Sequence, residues 1–573
     1  MSSDSRPNRV RFVAFLVAAF AFRLFYGLSM PFWFEDERQV YLIGLRSFAR
    51  GLWPYFGADV VWTGGQLPGA LQGMLIRWPL SIWPVPEAPV VLLNLLSFSA
   101  LAFFAWYLCR RLPDVPRWLV WCALFTLPWT LNFSTHVTNV SYVLPGAIAF
   151  FVGFFEATPA LSRRILPFSL AWFLMGLGLL FVVQIHMSWV LLPPYVAVAA
   201  LAVAFGRSPS SPAPRGRAIP IASLSFVGGA AVTGWLLVPT LLRYGIGAAS
   251  AAGALEFHAQ SPWGILTTAA RVLSFSSFEI NRFLGQSRAE RLLLLLHTPS
   301  MVPFVALAGI AGVVQPIWMV VSFFKRAQAD DTGWRHVRVL MVATIALVYV
   351  DYFFSVRGPQ AHAFYVVFPV SALFAATCWQ VWARANPGRW RGWERIAAAV
   401  IVAGVVMHAG LAIDRWPRAS LYTHRDVVAA AIEQRNDRFI GDRRDTVIEQ
   451  VDHRPRALDA VAEPDAFLAA QPEHDLQVST ATWRRGPFDV STFDVSLTNR
   501  SAITAWSDVR YETSYAGAQG EVLATRQGVL KHILEPGETR VWTDLADDFA
   551  PAGTTSATIA IIGGERAIPA RRR

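Results

Sequence analysis

Three carboxylates, Glu35, Asp36 and Glu37, stand together in the stretch FWFEDERQVY. A carboxylate within hydrogen-bond reach of a hydroxyl can take its proton as a new C–O bond forms. Other side chains suited to chemistry are few. His136 and Asn139 lie in NFSTHVTN, His186 in QIHMS, Glu256 and His258 in LEFHAQ, and Arg357, His362 and Tyr365 in SVRGPQAHAFY. Arg357 is the only arginine or lysine in its stretch. A guanidinium there could hold a phosphate by charge-assisted, bidentate bonds, or snorkel to lipid headgroups. The histidines suit substrate or metal contact, and equally suit ordinary surface hydrogen bonding; His362 and Tyr365 also suit packing or interface anchoring. His258 could pair with Glu35 or Glu37 on a metal, but no HxxxH-type spacing supports one. A divalent cation is therefore left open and its ligands unassigned.

The elements that must position these residues are membrane spans. The chain has 573 residues, 54% hydrophobic and 16% charged, against about 25% charged in an ordinary soluble domain. Its apolar residues come in runs of about twenty, the length a helix needs to cross a bilayer core. Eleven are expected, at 10–30, 89–109, 118–131, 138–156, 166–183, 188–205, 218–240, 300–324, 337–354, 363–383 and 395–413. The first is too long for a signal peptide and lacks a small-x-small cleavage site before Glu35, so it reads as a retained helix.

The net charge of +11 is almost all arginine, for only Lys325 and Lys531 are lysines. The charge is not spread as a nucleic-acid surface. Arg6, Arg9 and Arg11 precede the first span; Arg110, Arg111 and Arg117 follow the second; Arg163 and Arg164 follow the fourth. The same alternation continues to Arg384, Arg389, Arg391 and Arg395 after the tenth. Every second gap is basic, which by the positive-inside rule places those gaps, and the N-terminus, in the cytoplasm. The acidic triplet, the four histidine segments, Arg357 and the C-terminal region then lie outside the cytoplasmic (inner) membrane. Cys109, Cys122 and Cys378 fall in or beside apolar runs and form no disulfide or metal pattern.

After the triplet, Tyr41, Leu45, Phe48 and Leu52 share one side of a helix while Arg38, Gln39, Arg46 and Arg50 are polar. That predicts an amphipathic surface helix over 37–50, with Glu35 or Asp36 capping it and complementing its dipole. A second surface helix is expected within 66–84. Arg23, inside the first span, is either functional or close enough to the end to snorkel. Glu279, Arg282, Arg288, Glu290 and Arg291 read as the solvated face of a loop helix.

This order of first span, outward acidic pair, amphipathic helix, Gly turn, Pro-containing second helix and second span resembles the first half of the GT-C glycosyltransferases. It is most similar to the aminoarabinose transferases and protein O-mannosyltransferases, which use polyprenyl-phosphate sugars. DERQVYLIGLRSFARG (36–51) carries the likeness, which extends as a pattern over about residues 10 to 410. The resemblance implies a membrane enzyme that moves a sugar from a polyprenyl phosphate to a glycan, lipid or protein acceptor. Asp36 is then the general base and Glu37 its acidic neighbour, with Arg357, His362 and Tyr365 at the donor phosphate. Glu35, His136, Asn139, His186 and His258 become substrate or metal contacts. The family often has a second acidic residue where this chain has His136 and Asn139. No Gly-rich nucleotide motif is present, which fits a lipid-borne donor. The rival readings are a transporter or lipid flippase, disfavoured by surface rather than mid-membrane carboxylates and by the lack of repeats, and an inactive scaffold of the same shape.

The expected architecture is thus an α-helical polytopic membrane domain over 1–413, a polar helical connector over 414–474, and an all-β sandwich over 475–573. Short alternating runs bounded by Gly, Pro and Asn indicate the sandwich. With its stretch GEVLATRQGVLKHILEPGETRVW, it resembles the FxLYD-type immunoglobulin-like domains of bacterial envelope proteins.

Overall fold

Each of the eleven apolar runs is helical in the computed structural model. The structure describes the chain apart from residues 1–4, 31–34, 61–64, 159–163, 206–214, 249–256, 286–287, 326–331, 355–359, 387, 389, 420–427, 430–431, 434, 436–465, 467–468, 487–488, 531 and 568–573. The side chains of 5–9, 35–38 and some residues bordering these stretches are likewise outside the described set. Most of the expected connector therefore falls outside it.

The first span is α1 (Ser5–Leu28). The loop after it holds α2 (Glu35–Arg50), a hairpin of β1 (Phe56–Val60) and β2 (Gly65–Pro68), and α3 (Leu71–Ile82). Next come α4 (Ala88–Arg111), α5 (Arg117–Thr126), α6 (Pro128–Phe133), α7 (Val143–Ala157), α8 (Phe168–Val183), α9 (Pro193–Ala204) and α10 (Arg215–Gly234). The second long loop carries α11 (Val238–Ala248), α12 (Gly264–Leu273), α13 (Ile280–Leu284) and α14 (Arg288–His297). The last spans are α15 (Val302–Phe323), α16 (Thr332–Asp351), α17 (Phe368–Ala385) and α18 (Trp390–Ala419). Eight described helical segments have the length and apolar character to cross a membrane. The runs at 118–131, 138–156 and 166–183 are helical but shorter or broken. The chain is a multi-pass membrane protein.

The break between α5 and α6 has a local cause. A residue before proline is pushed out of the helical region, and Leu127, before Pro128, is extended at φ −58°, ψ 130°. That interruption leaves carbonyls without helical partners in an apolar interior, where each costs free energy unless bonded. Arg23 supplies the donors. Its guanidinium gives hydrogen bonds to Phe125 O (3.0 Å), Thr130 Oγ1 and O (both 3.2 Å) and Ser134 Oγ (3.0 Å). Arg23 is fully buried, so it does not snorkel; it closes the broken third span.

Close backbone packing assembles the middle of the bundle. A Cβ on Gly229 of α10 would stand 1.9 Å from Phe173 O of α8, so only glycine permits this approach, as is common between membrane helices. Gly27 plays the same part at the end of α1, where a Cβ would lie 2.1 Å from Thr135 O.

In the first loop α2 packs on α3. Tyr41 and Leu45 are buried, and so are Val40, Leu42 and Ile43. The helix is held between protein surfaces on more than its apolar side. The hairpin lies between the two expected helices, and only β2 reaches into the 66–84 stretch where the second is expected.

The C-terminal strands are β3 (Leu476–Arg485), β4 (Val490–Asn499), β5 (Ala505–Ala516), β6 (Val522–Leu530), β7 (Thr539–Phe549) and β8 (Ser556–Ala567). They form two antiparallel sheets, β3-β4-β7 and β6-β5-β8. Phe493, Val495, Leu497, Trp506 and Leu534 fill the core between them. In the EPGE stretch joining β6 to β7, Glu538 N bonds Glu535 O (2.9 Å) and Gly537 has φ +74°, the left-handed third position of a type II turn that follows proline. The sandwich meets the membrane part at α14, which touches β4 and β7.

Candidate active site

Glu35, Asp36 and Glu37 occupy the first turn of α2; their side chains, like Arg357 and Glu256, lie outside the described residues. The turn above them is fixed. Tyr41 donates to Pro86 O at 3.1 Å and is 1% exposed. Burial pushes its phenol well up, and the neighbouring Glu87 and Tyr142 add to this, so it remains a neutral donor. Glu87, 7% exposed at the start of α4, is a buried carboxylate that the sequence reading passed over. A single acid before an apolar run looks like a span boundary.

Gln72 of α3 ties three loops together. Its Oε1 accepts from Ala58 N of β1 (2.7 Å), and its Nε2 reaches Asn139 O and Ile185 O (3.5 Å each). The turn bearing His136 and Asn139 and the turn bearing His186 thus meet beneath the hairpin. His186 Nδ1 accepts from Ser188 N (3.1 Å) and caps the 3₁₀ turn Met187–Leu191. The ring proton therefore belongs on Nε2. Burial lowers the His186 pKa to about 4. His136 is also lowered to about 4, by burial and then by the charge of Arg415. Both rings are neutral near pH 7.

Arg415, near the C-terminal end of α18, is a further residue missed in the sequence, where DRWPR after a span resembles ordinary interfacial charge. It donates to Phe283 O of α13 and comes within 3.2 Å of Met30 Sδ, just past α1. Its charge also reaches His136. A buried relay runs behind it: Tyr26 OH donates to Asn132 Oδ1, His408 Nδ1–H bonds Gly404 O (2.7 Å), and His408 Nε2 is thereby left to accept from Asn132 Nδ2 (3.1 Å). This joins α1, α6 and α18 below the site without using a charge.

The late loop is anchored by Tyr352, whose hydroxyl accepts from Gln360 N (3.1 Å) and donates to Gln360 O (3.2 Å). His258 lies beside it through a backbone bond to Phe353 O (2.6 Å), away from the Gln72 cluster in these contacts. His362 stands 6.5 Å, ring to ring, from Phe133, which leads into the His136 turn. Tyr365 takes the packing position that its sequence equally allows. It is fully buried, donates to Ser134 Oγ (3.3 Å) and packs on Trp129 and Phe133. Its position at the head of an apolar helix turns it into the bundle, where its hydroxyl joins the Arg23 clasp through Ser134. Glu279 is likewise not solvated: it is 6% exposed and pairs with Arg271 at 2.7 Å. Among the described residues no group of three or more His, Cys, Asp or Glu converges on a metal-sized site.

The fold is similar to that of solved structures. ArnT from Cupriavidus metallidurans in the apo state is similar with a TM-score of 0.51 at 11% identity, over 82% of this chain and 96% of that one. The same organism's ArnT bound to undecaprenyl phosphate aligns at 0.40 and 11% identity, over 73% and 78%. Arabinosyltransferase EmbB from Mycobacterium smegmatis aligns at 0.33 and 12%, over 97% and 64%. The helical polytopic architecture expected from the sequence is thus shared with the apo ArnT structure; at 11% identity the likeness speaks for the fold alone. No family model matches the chain, and no curated protein matches it in sequence.

Proposed function

We propose that the chain is an integral-membrane glycosyltransferase that takes a sugar from a polyprenyl-phosphate donor and passes it to an acceptor at the outer face of the cytoplasmic membrane. The observation that carries this reading is the meeting of Arg415, the His136 turn and the end of α1 at the place from which the chain enters the acidic first turn of α2. A proton acceptor, a cation and neutral hydrogen-bonding rings are what sugar transfer from a phosphate needs. Asp36 takes the acceptor hydroxyl's proton as oxygen attacks the anomeric carbon. The C–O bond to phosphate breaks, and Arg357 and Arg415 stabilise the charge on the departing oxygen. Glu37 keeps a second carboxylate beside Asp36. Neutral His136 and His186 orient sugar hydroxyls, and His362 lines the same wall. The 475–573 sandwich, docked through α14, binds the acceptor or a partner at the outer surface.

The test is transfer from a radiolabelled polyprenyl-phosphate sugar by the full chain in liposomes. Asp36→Asn should lower the rate by about 10²–10⁴, the usual worth of a general base. A variant as fast as wild type removes Asp36 from the chemistry.

A further inference from the structure

At the opposite end of the bundle from the acidic turn, α1, α4 and α5 enclose a groove of about 570 Å³. Its walls are aromatic: Phe12 and Phe15 from α1, Trp106 from α4, Trp118 and Trp121 from α5. Phe12 and Trp121 meet edge to face at 5.0 Å. Two cations, Arg110 and Arg117, stand at the same groove. The other charges of this gap are already matched. Arg111 is buried against Glu156, and Asp114 pairs with Arg384 at 2.7 Å. Among the described residues Arg110 and Arg117 have no carboxylate partner; Arg110 lies 5.9 Å from the centre of the Trp106 ring. Arg117 is moreover the first residue of α5, where the helix dipole disfavours a cation.

We infer that this groove binds an anionic phospholipid, its phosphate between Arg110 and Arg117 and an acyl chain along the tryptophans. The occupant follows from charge and shape. Two uncompensated guanidinium groups at the edge of an apolar slot between membrane helices call for a ligand with one anionic end and a long apolar remainder. Basic pockets between spans on the cytoplasmic side are suited to acidic lipid headgroups, and tryptophans concentrate at that depth. A soluble anion would leave the aromatic walls uncovered, and a zwitterionic lipid would bring a third cation beside Arg110 and Arg117 and no net negative charge to offset them.

Two natural reporters line the groove. Cys109 and Cys122 are partly exposed there, whereas Cys378 is buried elsewhere. The experiment measures maleimide alkylation of each cysteine by mass spectrometry, on the full chain in detergent with lipid titrated in. Phosphatidylglycerol at about four times its Kd should slow Cys109 and Cys122 about fivefold by mass action; phosphatidylcholine should not, and Cys378 should be unaffected by either. The Arg110→Gln/Arg117→Gln variant should lose the slowing. Equal slowing by both phospholipids in the wild type, slowing by a polyprenyl phosphate but not by phosphatidylglycerol, or full slowing in the double variant would each overturn the inference. The wild-type comparison decides alone if the variant does not fold.

Discussion

Arg111→Met tests whether charge pairing inside the bundle is understood. Glu156 is 2% exposed. It accepts from the Arg111 guanidinium, from Tyr107 OH (2.9 Å), and from the backbone N–H groups of Ile165 (2.9 Å) and Leu166 (3.1 Å). Arg111 Nε also bonds Tyr107 OH at 3.0 Å. Methionine keeps the length and removes the cation. Two effects oppose each other. The guanidinium no longer has to be desolvated, which favours the variant; the carboxylate stays buried without its counter-charge, which disfavours it. Removing one member of a buried pair generally loses about 3–5 kcal/mol. The three remaining donors to Glu156 place this case near the lower end, at about 3 kcal/mol. The measurement is unfolding of the detergent-solubilised chain against denaturant. Adding Glu156→Gln to Arg111→Met should recover part of the loss, because glutamine can still accept from Ile165 and Leu166 without a charge. A coupling of about 2 kcal/mol is expected, within the usual range for contacting residues. An Arg111→Met variant within about 0.5 kcal/mol of wild type, the scatter of neutral surface changes, or strict additivity of the two changes, would refute the reasoning.

Other outcomes follow from the same contacts. Arg415→Gln should slow sugar transfer by about 10²–10³, the scale of losing one preorganised charge-stabilising group, with less loss in Arg415→Lys; unchanged turnover would take Arg415 out of the site. His136 and His186 titrate near 4 in the fold but near 6.5 when unfolded. Between those values the unfolded chain binds the protons first, so stability should fall as pH drops from about 6.5 toward 4. His186→Asn, which can still cap, should flatten that slope, and an unaltered slope in denaturant titrations across this range would contradict the assignment. Gly229→Val should lose at least about 1–3 kcal/mol through overpacking, whereas Gly228→Ala, whose Cβ would meet nothing within 4 Å, should stay near wild type in the same unfolding assay.

The spans were legible because an apolar run of about twenty residues has few other fates. The strands β4 to β8 showed as alternation between turn residues, and the EPGE turn showed by its proline and glycine. The hairpin β1–β2 did not, since five- and four-residue strands next to a Pro- and Gly-containing helix carry too little pattern. The His136 and His186 turns were legible as loop tips; what joins them, the amide of Gln72, was not, because a glutamine inside an apolar stretch gives no hint of which backbones it will reach. Tyr365 stayed open between two readings for a related reason. Its letter and its place beside a loop fit a phosphate ligand, and only packing against Trp129 decides which way it turns.

The arginines show where composition stops being informative. Arg23, Arg110, Arg111 and Arg415 are the same letter near span ends, yet one closes a broken helix, one lies over a tryptophan at an aromatic groove, one neutralises a buried carboxylate, and one ties the end of α1 to α13. The partners decide, and the partners are more than a hundred residues away for Arg23 and Arg415. Their effect converges on α2. Arg23 clamps α1 to α6, Gly27 lets α1 lie on Thr135, and Arg415 holds Met30 from the other side. Five peptide steps separate Met30 from Glu35, so the start of α2 can stand no farther from Met30 than about 18 Å of extended chain. Tyr41, bonded to Pro86, fixes α2 a turn further on. The acidic turn is thus tethered at both ends, through Met30 before it and through Tyr41 after it. Loosening the Arg23 clasp should therefore slow transfer by displacing Asp36, even though Arg23 lies inside the span.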